Sequence, residues 1–303
     1  MRGKVWYDEK KDQKVSALKL TREAPAKVNL TLDILGRRPD GYHDMRMVMQ
    51  TVSLCDTVSV AETERGFCLK GMDGLIPEGK KTLEQRAAEA FFEAVGRPMP
   101  GLEVTLEKRT PAYAGLGGGS ADVAALLRLL REAYAPELST EELECIGFQV
   151  GSDMPFCVRG GTALAEGRGE ILTDLVSMPD CHFVLCKPSF GIPTPELFAL
   201  VDGGERMKRP DHEGMIRALE DGDPEGIAAR LCNVFEEVLP TQYHEVYAIK
   251  ARMLELGAMG AAMSGSGPTV FGIFPDGERA QHAAGVLSAC YPQTYRARPV
   301  GKL

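Results

Sequence analysis

Residues 24 to 35, APAKVNLTLDIL, alternate without a break: Val28, Leu30, Leu32 and Ile34 share one face, and Lys27, Asn29, Thr31 and Asp33 share the other. A period of two is that of a strand lying on a core, so a half-buried strand is predicted here. RRPDGYHD follows with a Pro-Asp-Gly turn signature, and MRMVMQTVSLCDTVSVAE reads as one or two further strands. KTLEQRAAEAFFEAVG changes to a helical period and closes at Gly96, and GLEVTLEKR alternates again with Leu102, Val104 and Leu106 inward. A glycine loop then opens a helix from about Ser120 to Tyr134, and Ser139 with Glu142 forms a capping box for a helix through about Val150. GSDMPFCVRGG reads as a loop entering a strand.

Beyond about residue 165 the pattern restarts. The order is strand HFVLCKP, helix PELFALV, several short helices, helix EVYAIKARMLELG, strand PTVFGIFP, helix GERAQHAAGVLSAC and strand TYRARPV. Two α+β halves are therefore expected, residues 1–165 and 166–303, a reasonable division for a chain of 303 residues.

Composition narrows the partners. A formal charge of −8 opposes nonspecific attraction to nucleic acid or to an anionic membrane surface, although a local basic pocket for phosphate is compatible with it. The first twenty residues are charged throughout and lack the apolar core of a secretory signal, and no run nears the roughly 18 apolar residues of a membrane span, so a cytoplasmic location is expected. The cysteines at 55, 68, 145, 157, 181, 186, 232 and 290 contain no Cys-x-x-Cys pair and read as reduced thiols, mostly in apolar contexts. The histidines at 43, 182, 212, 244 and 282 lack a His-x-x-x-His spacing, which disfavours a protein-built zinc site.

The chemistry centres on PAYAGLGGGSADVAALLRLL, residues 111 to 130. Two familiar phosphate motifs are excluded: GLIPEGKK, 74 to 81, places Lys81 where a P-loop needs a hydroxyl, and Ser120 stands where G-x-G-x-x-G needs its last glycine. What remains is a glycine run at the mouth of a helix. Either it is a flexible turn, or its bare amides and the positive helix end hold a polyanion such as a nucleotide's phosphates.

PAYAGLGGGSADVAALL resembles the central phosphate-binding motif of the GHMP kinases, APAKVNLTLDILGRRPDGYHDM is similar to their N-terminal motif, and GAMGAAMSGSGPTVFGIF to their C-terminal glycine motif. The likeness runs from about residue 24 to the C-terminus. It implies a ribosomal-S5-like N-terminal domain and a ferredoxin-like C-terminal domain, with the active site between them. VGSDMPFCVRGGTALAEGRGE and KPSFGIPTPELF narrow the likeness to the branch that phosphorylates the 2-hydroxyl of a CDP-methylerythritol from ATP with Mg²⁺, in isoprenoid synthesis.

The resemblance implies Asp153 as base with Lys27 as its partner; an ammonium beside a carboxylate favours the ionised form and steadies the transferring group. The segment from Pro111 through Ala112, Tyr113, Ala114, Gly115, Leu116, Gly117, Gly118, Gly119, Ser120 and Ala121 is the expected ATP cradle, with the Ser120 hydroxyl a candidate magnesium or phosphate contact. Lys108 is either a second phosphate contact or a solvated surface charge. Asn29, on the same face as Lys27, is expected to position substrate. By resemblance, Tyr42 and Phe198 stack on the two faces of a cytosine, His43 bonds it, and Thr194 lies near; without the family, Tyr42 would read as a turn aromatic and Phe198 as core. The segment Ser264 to Thr269 is expected to shape the pocket. Two departures are noted: Thr82 replaces a common Asn near the adenosine position, and Ser152 replaces a common Ala. The alternatives are a GHMP kinase for another small alcohol, such as homoserine or mevalonate, and a non-catalytic ligand sensor of the same fold.

Overall fold

The computed structural model describes residues 19–72, 80–202 and 208–303. Most of the GLIPEGKK segment lies outside the described residues, as does the chain before Lys19. The first sheet is built on two long antiparallel strands, β1 (Lys19–Arg37) and β2 (His43–Thr63), joined through the turn at Asp40 and Gly41. The segment 45–62 is thus one strand, since nothing in it breaks the extended backbone. On the outer side of β2, β4 (Gly101–Glu107) pairs with its second half and β5 (Thr162–Gly167) with its first half. The edges are completed by β3 (Phe67–Lys70) on β4, β6 (Ile171–Asp174) on β5, and the two-residue β8 (Cys232–Asn233) on β1.

Helices α1 (Leu83–Ala94), α2 (Gly118–Tyr134), α3 (Thr140–Phe148) and α4 (Met154–Arg159) cover one face of this sheet. Every residue of α2 from Ala121 to Leu130 is buried, which makes it the central helix of the layer. The capping box at α3 is present as read, with Ser139 and Glu142 bonding each other's backbone N–H groups. The strand expected to follow GSD is instead α4. Pro155 sits in its first turn, and the buried Arg128 guanidinium of α2 donates to the carbonyls of Cys157 at 2.7 Å and Val158 at 3.1 Å, closing its last turn. That tertiary capping has no local signature.

The second unit is a four-stranded antiparallel sheet of β7 (His182–Lys187), β9 (Gly260–Met263), β10 (Val270–Phe274) and β11 (Gln293–Ala297), in the spatial order β11-β7-β10-β9. With α8 (Glu245–Glu255) before β9 and α9 (Gly277–Ser288) before β11, this is the β-α-β-β-α-β order of a ferredoxin-like fold, as the resemblance implied. Between β7 and α8 lie α5 (Thr194–Asp202), α6 (His212–Glu220) and α7 (Pro224–Ala229). The expected boundary at 165/166 cuts through β5. The first sheet runs on to Asp174, so the ladder places the division between β6 and β7, and β8 then returns to the first sheet from the second half of the chain.

The first sheet is buried on both faces. One side packs on α1 to α4; the other joins Phe183, Leu185, Phe271 and Ile273 of the second sheet and Met215 and Leu219 of α6 in a separate cluster. The half-buried reading of β1 therefore fails. A register shift between Asn29 and Thr31 also breaks its alternation, so that Val28 and Leu30 join one core and Leu32 and Ile34 the other. Lys27 and Asn29 face the α2 side, whereas Thr31 bonds His212 and Asp33 bonds Arg209 across the sheet. All eight cysteines are free thiols, and among the described residues no helix is long and apolar enough to cross a membrane.

Candidate active site

The loop from Lys108 to Gly117 joins β4 to α2. Gly115 and Gly117 have φ of 74° and 66°, and a Cβ there would lie 2.0 Å from the Ser264 carbonyl oxygen and 3.0 Å from Lys27 Cγ respectively. Both conformation and space demand glycine. No side chain caps the start of α2, so its first-turn N–H groups stand at the positive end of a seventeen-residue helix, a disposition suited to an anion. Above them opens a cavity of about 490 Å³, walled by Leu69, Met72, Leu83 and Tyr113 on its apolar side, in the size range of a small-molecule site.

Residues Pro111 to Ser120 and Lys108 all line that cavity, and Thr82, which caps α1, stands at its rim. Ala121 does not. It is buried behind the loop with its N–H on the Gly117 carbonyl at 2.8 Å, so the expected cradle ends one residue earlier. The C-terminal glycine segment braces the loop from the far side: Ser264 Oγ donates to the Gly115 carbonyl at 2.9 Å, and Thr269 N–H reaches that of Ala114 at 3.3 Å. Asn233 of β8 in turn fixes this brace, its side-chain amide donating to the carbonyls of Met263 and Gly265, each at 2.8 Å.

β1 is tied to the same loop. Lys27 N–H donates to the Leu116 carbonyl at 2.9 Å, and its side chain runs along Gly117. The ammonium, on a residue only 4% exposed, donates to Asn29 Oδ1 at 2.8 Å and lies 3.3 Å from Asp153 Oδ2. Asp153 is the N-terminal cap of α4, yet its carboxylate makes no capping hydrogen bond and is 36% exposed. Two residues 126 positions apart in sequence thus meet beside the glycine loop. The ammonium is sheltered and the carboxylate is open to a ligand.

Lys108 is neither a solvated charge nor a free cation. Its ammonium bonds both Asp56 and Asp122, and Asp56 also accepts the N–H groups of Arg109 and Thr110 at 2.5 and 2.7 Å. Two buried carboxylates share one partly exposed ammonium here, at the cavity wall. Burial pushes the Asp122 carboxyl up to about 7, against the pull of Lys108. Asp56 and Asp122 carry no sequence signal of their own beyond flanking apolar runs.

The residues expected to recognise a base are placed as follows. His43 is buried, its Nε2 2.8 Å from Asp202 Oδ1, and its ring stacks on Phe198 with centroids 4.5 Å apart and planes 19° from parallel. Phe198 also packs edge-on against Phe235. One face of Phe198 is thus taken by His43. Tyr42, by contrast, is 51% exposed, and its ring carries the Arg168 guanidinium at 3.5 Å from the centroid. Thr194, at the start of α5, bonds Ser266 Oγ at 2.8 Å. Sequence reasoning missed Asp202 and Arg168. The i, i+4 spacing of Phe198 and Asp202 on α5 was the one available signal.

Comparison with known proteins follows the same lines. The family described as GHMP kinases N terminal domain matches residues 82–161, and GHMP kinases C terminal matches residues 215–293. A 4-diphosphocytidyl-2-C-methyl-D-erythritol kinase of Pelotomaculum thermopropionicum is 46% identical over 266 residues, 88% of this chain and 92% of that protein. Its namesake from Moorella thermoacetica is 43% identical over 278 residues, 91% of this chain and 97% of that protein. A crystal structure of 4-(cytidine 5'-diphospho)-2C-methyl-D-erythritol kinase superposes with a TM-score of 0.79 at 34% identity, covering 93% of this chain and all (100%) of that one. A homoserine kinase from Cytophaga hutchinsonii, at 16% identity and a TM-score of 0.72, shares the fold.

Proposed function

The chain belongs to the GHMP kinases, in their 4-diphosphocytidyl-2-C-methyl-D-erythritol kinase branch, and on that premise we propose that it transfers the γ-phosphoryl group of ATP to the 2-hydroxyl of 4-diphosphocytidyl-2-C-methyl-D-erythritol. The observation that carries the reading is the Lys27–Asp153 pair at 3.3 Å, set against an uncapped helix start in a cavity of nucleotide size.

Phosphoryl transfer asks for little covalent chemistry from the protein and much positioning. In this reading the amides of Gly117 to Ser120 hold the phosphates, and the apolar wall of Leu69, Met72 and Leu83 receives the adenine. Asp153 accepts the proton of the attacking hydroxyl, and Lys27 offsets charge as it develops on the transferring group. Asn29 fixes the Lys27 ammonium, so its part is to aim the cation. Asp122 holds Lys108 in place along the cavity edge.

The donor set also suits Mg²⁺. Ser120 offers a hydroxyl oxygen in the first turn of α2, and Asp122 Oδ1 is buried without a hydrogen-bond partner. Among the described residues no group of three acid, thiol or imidazole side chains forms a cage, so most ligands of this oxygen-seeking ion would come from the nucleotide's phosphates, with Ser120 as the chain's contact. When bound, the ion supplies neutralisation of phosphate charge.

ADP release measured across a panel of alcohols tests the proposal. Activity is expected with the CDP-linked alcohol and not with homoserine or mevalonate; the reverse preference overturns it. Asp153→Asn is expected to lower kcat by about 10² or more with nucleotide binding retained, typical of losing an acid/base group. An unchanged kcat removes Asp153 from the mechanism, and a wild-type chain that binds ATP yet phosphorylates nothing supports the sensor alternative.

A further inference from the structure

We infer that Arg168 is the residue that sets nucleobase recognition, by holding the Tyr42 ring upright as a stacking surface; the inference rests on the cytidine-bearing substrate proposed above. Tyr42 is an oddity as a recognition element. A half-exposed ring at a loop has many rotamers, and a flexible platform must be ordered each time a base lands on it, at a cost to affinity. Two restraints remove that freedom. Asp40 Oδ1 accepts the Tyr42 N–H at 3.0 Å, which fixes the backbone, and the Arg168 guanidinium lies 3.5 Å from the ring centroid, which fixes the side chain.

Arg168 is itself built in. It occupies the tight turn between β5 and β6, where its N–H donates to Glu170 Oε2 at 2.6 Å. Its guanidinium is near a second aromatic ring as well, 5.0 Å from the Phe148 centroid. The Nε atom is buried and has no hydrogen-bond partner, and among the described residues no carboxylate lies within ion-pair distance of the group. What holds this cation is therefore the face of the ring. Cation–π contact in a partly desolvated place is the strong form of that interaction. One face of Tyr42 is covered by the guanidinium, so the exposed remainder is the face a base can occupy.

The same turn touches the reaction centre. A Cβ at Gly169 would lie 3.0 Å from the Ser152 carbonyl oxygen, so the Arg168 turn rests on the residue preceding Asp153. A base seated on Tyr42 is thus placed by a rigid strand-to-strand turn that also abuts the catalytic carboxylate's loop. His43 and Phe198, already stacked on each other, form the adjoining wall rather than the second slice of a sandwich.

The role is one of positioning, and the test reads a split that a merely structural residue would not give. In the full-length enzyme, Arg168→Ala is expected to raise KM for the cytidine-linked alcohol about tenfold, with KM for ATP and the thermal midpoint held and kcat changed less than twofold. Arg168→Lys, which keeps the charge on a flexible stem without the flat guanidinium, is expected to recover at most part of the loss. CDP and inorganic pyrophosphate serve as calorimetric probes. CDP affinity falls in Arg168→Ala while pyrophosphate binding does not, and in a Tyr42→Ala background removing Arg168 has no further effect.

A loss that is equal for pyrophosphate, or that persists in full without Tyr42, means that Arg168 binds phosphate directly, and overturns the inference. So does undiminished CDP binding by Arg168→Ala. Failure of the wild-type chain to bind CDP at all is a different result, which refutes the substrate assignment itself.

Discussion

The glycine cradle and the cluster around Tyr42 and His43 are made in different ways. On the phosphate side the working parts are backbone: Gly115 and Gly117 at positive φ, uncapped amides of α2, and main-chain bonds from Lys27 to Leu116 and from Thr269 to Ala114. At the proposed base site they are side chains that satisfy each other: His43 with Asp202 and Phe198, and Tyr42 with Arg168. A backbone cradle is set by a few φ values and does not tolerate a Cβ at Gly115 or Gly117. A side-chain cluster has several, and its choice depends on what packs behind it. The first kind of recognition is rigid before ligand arrives, whereas the second is rigid only while its partners hold.

Substitution can separate the two sides. The largest effect is expected from Gly117→Ala, which forces a positive φ on a Cβ and presses it against Lys27 Cγ at 3.0 Å. Displacing Lys27 from Asp153 should lower kcat on the order of 10²-fold in steady-state assays, while calorimetric CDP affinity stays within twofold. Loss of CDP binding in that variant would erase the separation. Asp202→Asn is the converse probe: it weakens the hold on His43, so KM for the cytidine-linked alcohol should rise about fivefold, with KM for ATP unmoved. A rise in KM for ATP of the same size would show that the sides are coupled.

The smallest effect is a pH dependence confined to the phosphate side. The Asp122 carboxyl, about 7 in the fold and near 3.8 as a free side chain, binds its proton more tightly when folded. Its stabilising contribution is complete below about pH 4 and is lost as pH rises through about 7. Urea unfolding should therefore show the wild-type chain losing about 1 kcal/mol between pH 6 and pH 8 through this group, and Asp122→Asn flattening that difference. An identical slope in both proteins would assign the titration elsewhere.

The contrast between backbone and side-chain recognition also explains what could be read from residues alone. The glycine run gave away the cradle because bare backbone has a compositional signature, and the alternation of 101–107 and the Ser139 capping box are local and appear as read. The α4 helix was hidden because its last carbonyls are capped by Arg128 from another helix, and the pairing of His43 with Asp202 because 159 residues separate them. The expected division at 165/166 falls inside β5, since a strand's membership in a sheet is decided by ladder partners distant in the chain.

By itself, the sequence determined the periodicities, the need for glycine at the mouth of α2, and the presence of an ammonium and a carboxylate within recognisable motifs. Only the tertiary structure decided that those two groups meet at 3.3 Å, that a register shift after Asn29 turns Thr31 and Asp33 away from them, and that His43 stacks on Phe198 while Arg168 lies over Tyr42. The physical reason is range. Backbone conformation answers to neighbours a few residues away, whereas the partner of a buried charge or an aromatic face is whatever the packed core brings against it.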